Sequence, residues 1–251
     1  MIKLYWRTLL FSLYIYGVAF PALIMLVPII FFPLKILKWV PYYWTQWAAI
    51  ILRQTVKIKH QIKGQQFIQN RPVIYAMKHQ SVWETLIPNH ILPFPAYILK
   101  KELILLPIFG WYLYFLKMLP INRKKGTQEL KKLIECTRQR LQQGRSIIIF
   151  PEGTRVSPGE QGTYQRGIAF LYEKLNVPVV PVALNSGLYW PKHKFLKLPG
   201  TITLEFLPPI PPGLPKKEFM EKLTDAIETK SLELIKKGED SKKPSPQLST
   251  E

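Results

Sequence analysis

No charged residue occurs between Thr8 and Leu34. This run, rich in Leu, Ile, Phe and Tyr, is long enough to cross a hydrocarbon core of about 30 Å. A cleaved signal peptide would also begin with charges such as Lys3 and Arg7, but its apolar region would be much shorter and a small-residue cleavage site would follow. Pro21, Pro28 and Pro33 interrupt the run, so a hairpin or re-entrant anchor stands open beside a single span. Lys35 and Lys38 flank the far end, so positive charge does not choose an orientation. Next, Trp39-Val40-Pro41-Tyr42-Tyr43-Trp44-Thr45-Gln46-Trp47 concentrates aromatics as an interfacial belt does, with a buried aromatic core as the alternative.

The 35 Lys and Arg against 16 Asp and Glu give a formal charge of +19, which favours polyanionic partners. A hydrophobic content of 47% with 23 prolines is too apolar for a typical nucleic-acid module, and no finger, ribonucleoprotein motif or basic recognition helix occurs. Anionic membrane lipid is therefore the expected partner, and nucleic acid is not. The single Cys136 allows no intramolecular disulfide and reads as an inert thiol inside a helix.

From about residue 55 the chain alternates strand and helix patterns. Strands are expected from Pro72 to Met77, over Ala96–Leu99, Ser146–Phe150, Val177–Leu184 and Thr201–Phe206. Helices are expected from Thr127 to Gly144, over Gly162–Leu175, and as an amphipathic segment carrying Phe219, Leu223, Ile227, Leu234 and Ile235. This order predicts an α/β fold, a single mixed sheet flanked by helices, preceded by a hydrophobic helical membrane anchor. The expected organisation is anchor and aromatic segment over 1–54, catalytic domain over 55–237, and a polar tail over 238–251.

Two stretches carry chemistry. After the Val73–Met77 segment, His79 and Glu84 stand five residues apart. On an ideal helix their side chains would diverge by roughly 140°. They can meet only if His79 sits in a loop and Glu84 in a first helical turn, giving a base oriented by a carboxylate. After the Ile147–Phe150 segment comes Pro151-Glu152-Gly153-Thr154-Arg155. A loop at a strand's C-terminal end is where α/β folds place ligands, and Arg155 offers a fork suited to phosphate.

Taken together, His-x4-carboxylate followed by Phe-Pro-Glu-Gly-Thr-Arg resembles the glycerolipid acyltransferase family, above all its bacterial 1-acylglycerol-3-phosphate acyltransferases. Leu119-Pro120-Ile121-Asn122-Arg123 and Val177-Pro178-Val179-Val180-Pro181-Val182 fall in the order of two weaker family blocks, and the resemblance covers roughly residues 55–210. It implies a glycerolipid acyltransferase-like fold with His79 as general base and Glu84 orienting it. Arg123 and Arg155 would hold the acceptor phosphate, Glu152, Gly153 and Thr154 would shape its pocket, and Lys100 or Lys101 would add charge. The implied substrates are lysophosphatidic acid and an acyl-CoA or acyl carrier protein donor, with no further cofactor. The implied location is a bacterial inner membrane, with the catalytic domain on the cytoplasmic side. Three positions depart from the family pattern: glutamate at 84 for aspartate, Lys78 for asparagine, and Asn122 for a charged residue.

Direct transfer is expected over an acyl-enzyme, because Ser81 lies only two residues from His79 and no Gly-x-Ser-x-Gly elbow occurs. Backbone amides after His79 or near Gly153 are the candidate oxyanion donors. No metal is expected, since His60, His79, His90 and His193 lack ligand spacing, and His60 and His193 read as surface residues. Ile104–Leu119 is a candidate wall for an acyl groove. Other acceptors, a basic membrane adaptor without activity, and a membrane-bound hydrolase remain as rival readings.

Overall fold

The computed structural model describes residues 2–122 and 126–240. The chain opens with α1 (Ile2–Tyr14), a π-turn (Ile15–Ala19) and α2 (Phe20–Met25). Together they form one helix, Ile2–Met25, long and apolar enough to cross a membrane. Pro21 has no N–H to give the preceding turn, and the Phe20 N–H reaches back to the Ile15 carbonyl, which produces the π-turn. A 3-10 turn (Val27–Phe31) carrying Pro28 ends α2, and extended Pro33 precedes α3 (Leu34–Leu37) and α4 (Trp39–Thr55). α4 returns against α1, so the prolines divide the apolar run into a helical hairpin.

Seven strands follow: β1 (Ile58–Lys63), β2 (Ile74–Met77), β3 (Ala96–Lys100), β4 (Leu119–Ile121), β5 (Ile147–Ile149), β6 (Val179–Leu184) and β7 (Gly200–Phe206). Between or after them lie α5 (Pro88–Ile91), α6 (Phe109–Phe115), α7 (Gly126–Gln142), α8 (Gly167–Leu175) and α9 (Lys216–Asp240). They form one sheet in the order β1-β7-β6-β2-β5-β3-β4, in which only β6 and β7 pair antiparallel. The expected mixed sheet flanked by helices is therefore present. The central strands β2, β5 and β6 are buried along their whole length, which explains their unbroken apolar sequences. The edge strands read poorly as strands for physical reasons. β1 alternates isoleucine and histidine with lysine and glutamine, and β4 holds Pro120, which an edge strand tolerates.

Several boundaries differ from the sequence expectation. The helix expected from Gly162 begins at Gly167. A Cβ at Gly162 would lie 2.6 Å from Val156 and 2.8 Å from Glu152, so this stretch packs closely over the loop after β5 instead of coiling. The polar tail expected from residue 238 is helical through Asp240. Gly238 is buried there, its carbonyl accepting from the Tyr189 hydroxyl at 3.5 Å, and the remainder of the tail lies outside the described residues. The break expected at 54/55 is not a break in packing. Phe11, Leu23, Leu37 and Leu52 belong to the same continuous core as the sheet. α1 is also tied down directly: the Lys197 N–H donates to Thr8 Oγ1 at 3.2 Å, and Phe11 meets Trp190 edge-to-face at 5.5 Å.

The aromatic segment divides by helical face. On α4, Val40, Thr45, Ala48 and Leu52 are buried, whereas Trp39, Tyr43, Trp47 and Ile50 form an exposed stripe. Exposed Leu105, Leu106, Phe109, Trp111 and Tyr114 add apolar surface from the segment around α6. Exposed aromatics at this spacing suit a lipid interface, and with the apolar N-terminal helix they mark the protein as membrane-associated. In vesicles containing brominated lipid, a variant retaining Trp47 as its sole tryptophan should be quenched. One retaining only Trp83, which is 1% exposed, should not be.

Candidate active site

β6, β2 and β5 lie side by side and parallel, with Ile74 opposite both Val179 and Ile147. The loops leaving their C-terminal ends therefore emerge together. β2 supplies His79, β5 supplies Pro151–Arg155, and β6 supplies Ser186. The sheet itself closes the seventy-residue gap between the two sequence motifs.

Glu84 lies in the 3-10 turn Trp83–Thr85, fully buried, with His79 in the loop before it. Five donors converge on its carboxylate: His79 Nδ1 (2.9 Å), Gln80 N (2.6 Å) and Ser81 N (2.6 Å) on Oε1, and the hydroxyls of Ser81 and Ser186 (both 2.8 Å) on Oε2. Burial alone would raise the Glu84 pKa, but the hydrogen bonds from His79, Ser81 and Ser186 outweigh it and hold the carboxyl below its ordinary range. An ionised carboxylate only accepts, so Nδ1 carries the proton of the neutral ring and Nε2 is left with its lone pair. The ring stacks on Phe150 with centroids 4.1 Å apart. Its peptide is held as well, the His79 carbonyl accepting from Val156 N at 2.8 Å.

These contacts decide two open points. The amides of Gln80 and Ser81 are engaged by Glu84, so they are not available as oxyanion donors. Ser81 Oγ donates to Glu84 and accepts from Trp83 N at 2.9 Å, which fixes it as a structural bridge instead of a nucleophile. Ser186 has no counterpart in the sequence reading. Its role depends on a contact 102 residues away, and only the β6 pattern upstream hinted at where it would lie.

His79 opens onto a cavity of about 1510 Å³. Gly153, Thr154 and Arg155 line it beside the histidine, and Gly153 adopts φ +69° in the turn closed by its N–H to the Phe150 carbonyl at 2.9 Å. Lys192 Nζ braces the Arg155 carbonyl at 3.2 Å. Lys100, Arg166, Lys174 and His193 also line the cavity, against Glu129 as its acidic side chain, so the polar walls favour an anion. Arg166, Lys174 and His193 were not anticipated as site residues. His193 is exposed as expected, but it faces the cavity. The remaining walls are mostly apolar and include Leu86, Tyr97, Leu113, Leu116, Ile134 and Leu171, with part of the Ile104–Leu119 stretch among them.

Three expected phosphate ligands need separate treatment. Arg123 lies outside the described residues. Lys101 opens a 3-10 turn whose Leu103 lines the cavity, but Lys101 itself is exposed and does not. Glu152 is set apart from Gly153 and Thr154: its carboxylate points into the protein while its neighbours Pro151 and Gly153 face the cavity. Oε1 sits 3.4 Å from both Lys78 Nζ and His79 N, and Oε2 is buried without a hydrogen-bond partner. Burial pushes this carboxyl up to about 7, against the pull of Lys78. Among the described residues no three His, Cys, Asp or Glu side chains could share a metal ion.

A 1-acyl-sn-glycerol-3-phosphate acyltransferase of Pseudomonas aeruginosa is 36% identical over 165 residues, 66% of this chain and 64% of that one. A human 1-acyl-sn-glycerol-3-phosphate acyltransferase, the beta form, is 29% identical over 144 residues, covering 56% of this chain and 51% of its own. The matched region thus spans less than two thirds of these relatives' length. The crystal structure of the 1-acyl-sn-glycerophosphate (LPA) acyltransferase PlsC from Thermotoga maritima superposes with a TM-score of 0.74 at 22% identity, covering 95% of this chain and 98% of that one; the two share a fold. The family model described as Acyltransferase matches residues 59–185, about half of the chain, and takes in both the His79–Glu84 loop and the Glu152–Arg155 turn: the chain belongs to the acyltransferase family.

Proposed function

We propose that this protein moves a fatty acyl group from acyl-CoA or acyl carrier protein to the sn-2 hydroxyl of 1-acyl-sn-glycerol 3-phosphate, yielding phosphatidic acid. The observation that carries the reading is His79 with Nδ1 pinned to Glu84, in one cavity with Arg155 and an extended apolar wall. His79 Nε2 takes the proton as the acceptor hydroxyl attacks the thioester carbonyl. The tetrahedral intermediate collapses, the C–S bond breaks, and the imidazolium returns the proton to the departing thiolate. Glu84 stabilises the transient imidazolium without itself moving. The engagement of Ser81 supports direct transfer over an acyl-enzyme.

Arg155 grips the acceptor phosphate, with Lys100 adding charge. A volume of about 1510 Å³ exceeds ordinary small-ligand pockets of about 300–1,000 Å³, which favours a lipid acceptor over a small one such as glycerol 3-phosphate. The exposed aromatic stripe and the formal charge of +19 support work at an anionic bilayer. The bacterial inner membrane, with the site on its cytoplasmic side where thioester donors are made, fits these features. No cofactor beyond the donor is needed.

The experiment is an acyl-transfer assay with a panel of lysolipid acceptors and both donors. His79→Ala should lower kcat by about 10²–10⁴-fold, the range for a lost general base, and a variant retaining near-native transfer would overturn the mechanism. Arg155→Ala should raise the acceptor's KM well above any change in the donor's. The opposite pattern would move the arginine to the donor site.

A further inference from the structure

Lys78, directly before His79, is 1% exposed although it is a lysine in the loop of an active site. Its backbone N–H extends the sheet by donating to the Val182 carbonyl at 3.0 Å, and its side chain runs towards α9. There Nζ donates to both carboxylate oxygens of Glu228, at 2.7 and 2.8 Å, and to the Glu160 carbonyl at 3.3 Å, with Glu152 Oε1 at 3.4 Å. The Tyr164 hydroxyl donates to Glu228 Oε1 at 3.0 Å. One buried ammonium therefore serves two carboxylates, and one of these, Glu152, accepts from the backbone N–H of His79.

α9 has a second hold on the same centre. The Asn185 side chain donates to the Leu234 carbonyl at 3.0 Å and accepts from Thr203 N at 2.8 Å. Asn185 precedes Ser186, which hydrogen-bonds Glu84. α9 thus holds the side chains of Lys78 and Asn185, the residues directly before His79 and Ser186. These are the two ends of the hydrogen-bond chain that runs through Glu84.

We propose that Lys78 and Glu228 are positioning residues for His79, an ion pair through which α9 braces the base against the sheet. The proposal rests on the reading of His79 as general base. A buried pair of this kind is a poor source of net stability, because desolvating both charges offsets their attraction, and a neutral replacement of both is often tolerated. What the pair supplies is placement. Bidentate contact at one end and the Glu152 relay at the other fix where the His79 peptide sits, and catalysis is sensitive to displacements of about 1 Å.

The test compares Glu228→Gln, which keeps the shape and an acceptor for Tyr164, with the double variant Lys78→Met/Glu228→Gln, which removes both charges. Melting temperature, kcat and acceptor KM are measured on the full chain in lipid or detergent. The double variant should melt close to wild type and Glu228→Gln below it, since that change leaves the Lys78 ammonium buried without its main partner; per folded molecule both should lose about 10- to 100-fold in kcat and hold acceptor KM within about twofold. A folded double variant with wild-type kcat overturns the proposal. So does a fall in kcat that merely follows the folded fraction read by near-ultraviolet circular dichroism. Should the double variant fail to fold, Glu228→Gln alone decides by the same criteria. His79→Ala separates the two levels: if it is inactive while the double variant transfers normally, only the brace fails; if it is active, the base and the brace fail together.

Discussion

A carboxylate buried without water must find its hydrogen bonds inside the protein, and Glu84 finds five. Much of the site follows from that requirement. Accepting from the amides of Gln80 and Ser81 folds the loop after β2 around the carboxylate. Accepting from the His79 ring fixes its tautomer. Accepting from Ser186 ties this loop to the end of β6. With its donors complete, the group stays ionised inside the protein, so a negative charge lies behind the imidazole.

The sheet explains why so few residues are needed. Three parallel strands, β6, β2 and β5, bring Ser186, His79 and the Pro151–Arg155 turn to one edge, and the cavity runs from that edge between α7, α8 and the N-terminal hairpin. The hairpin is not a tether attached to a soluble enzyme. Leu23, Val40 and Trp44 help to line the cavity, so the part of the chain that meets lipid also forms part of the site.

How much of this was legible in the sequence depended on distance along the chain. His79 and Glu84 lie within six residues, so their meeting could be argued from helix geometry, and Arg155 announced itself through a compact turn. The central strands were readable because burial on both faces leaves unbroken apolar runs, whereas β1 and β4 sit at edges, where lysine and proline are tolerated. Ser186 was invisible because a serine acquires a role only through a partner 102 residues away. The inward direction of the Glu152 carboxylate was not legible, because a motif names its residues without saying which way each points. Lys78 stood out in the sequence only as a departure from the family's asparagine, because its partner Glu228 lies 150 residues further on.

The central claim is that Glu84 makes His79 a base by holding its ring in one tautomer. Nitrogen-15 NMR of histidine-labelled protein, at a pH where the ring is neutral, reports this directly. The account predicts that in His79 Nδ1 carries the proton and Nε2 is bare, and that Glu84→Gln weakens this preference. A His79 ring protonated at Nε2, or one divided evenly between tautomers with Glu84 intact, would contradict it.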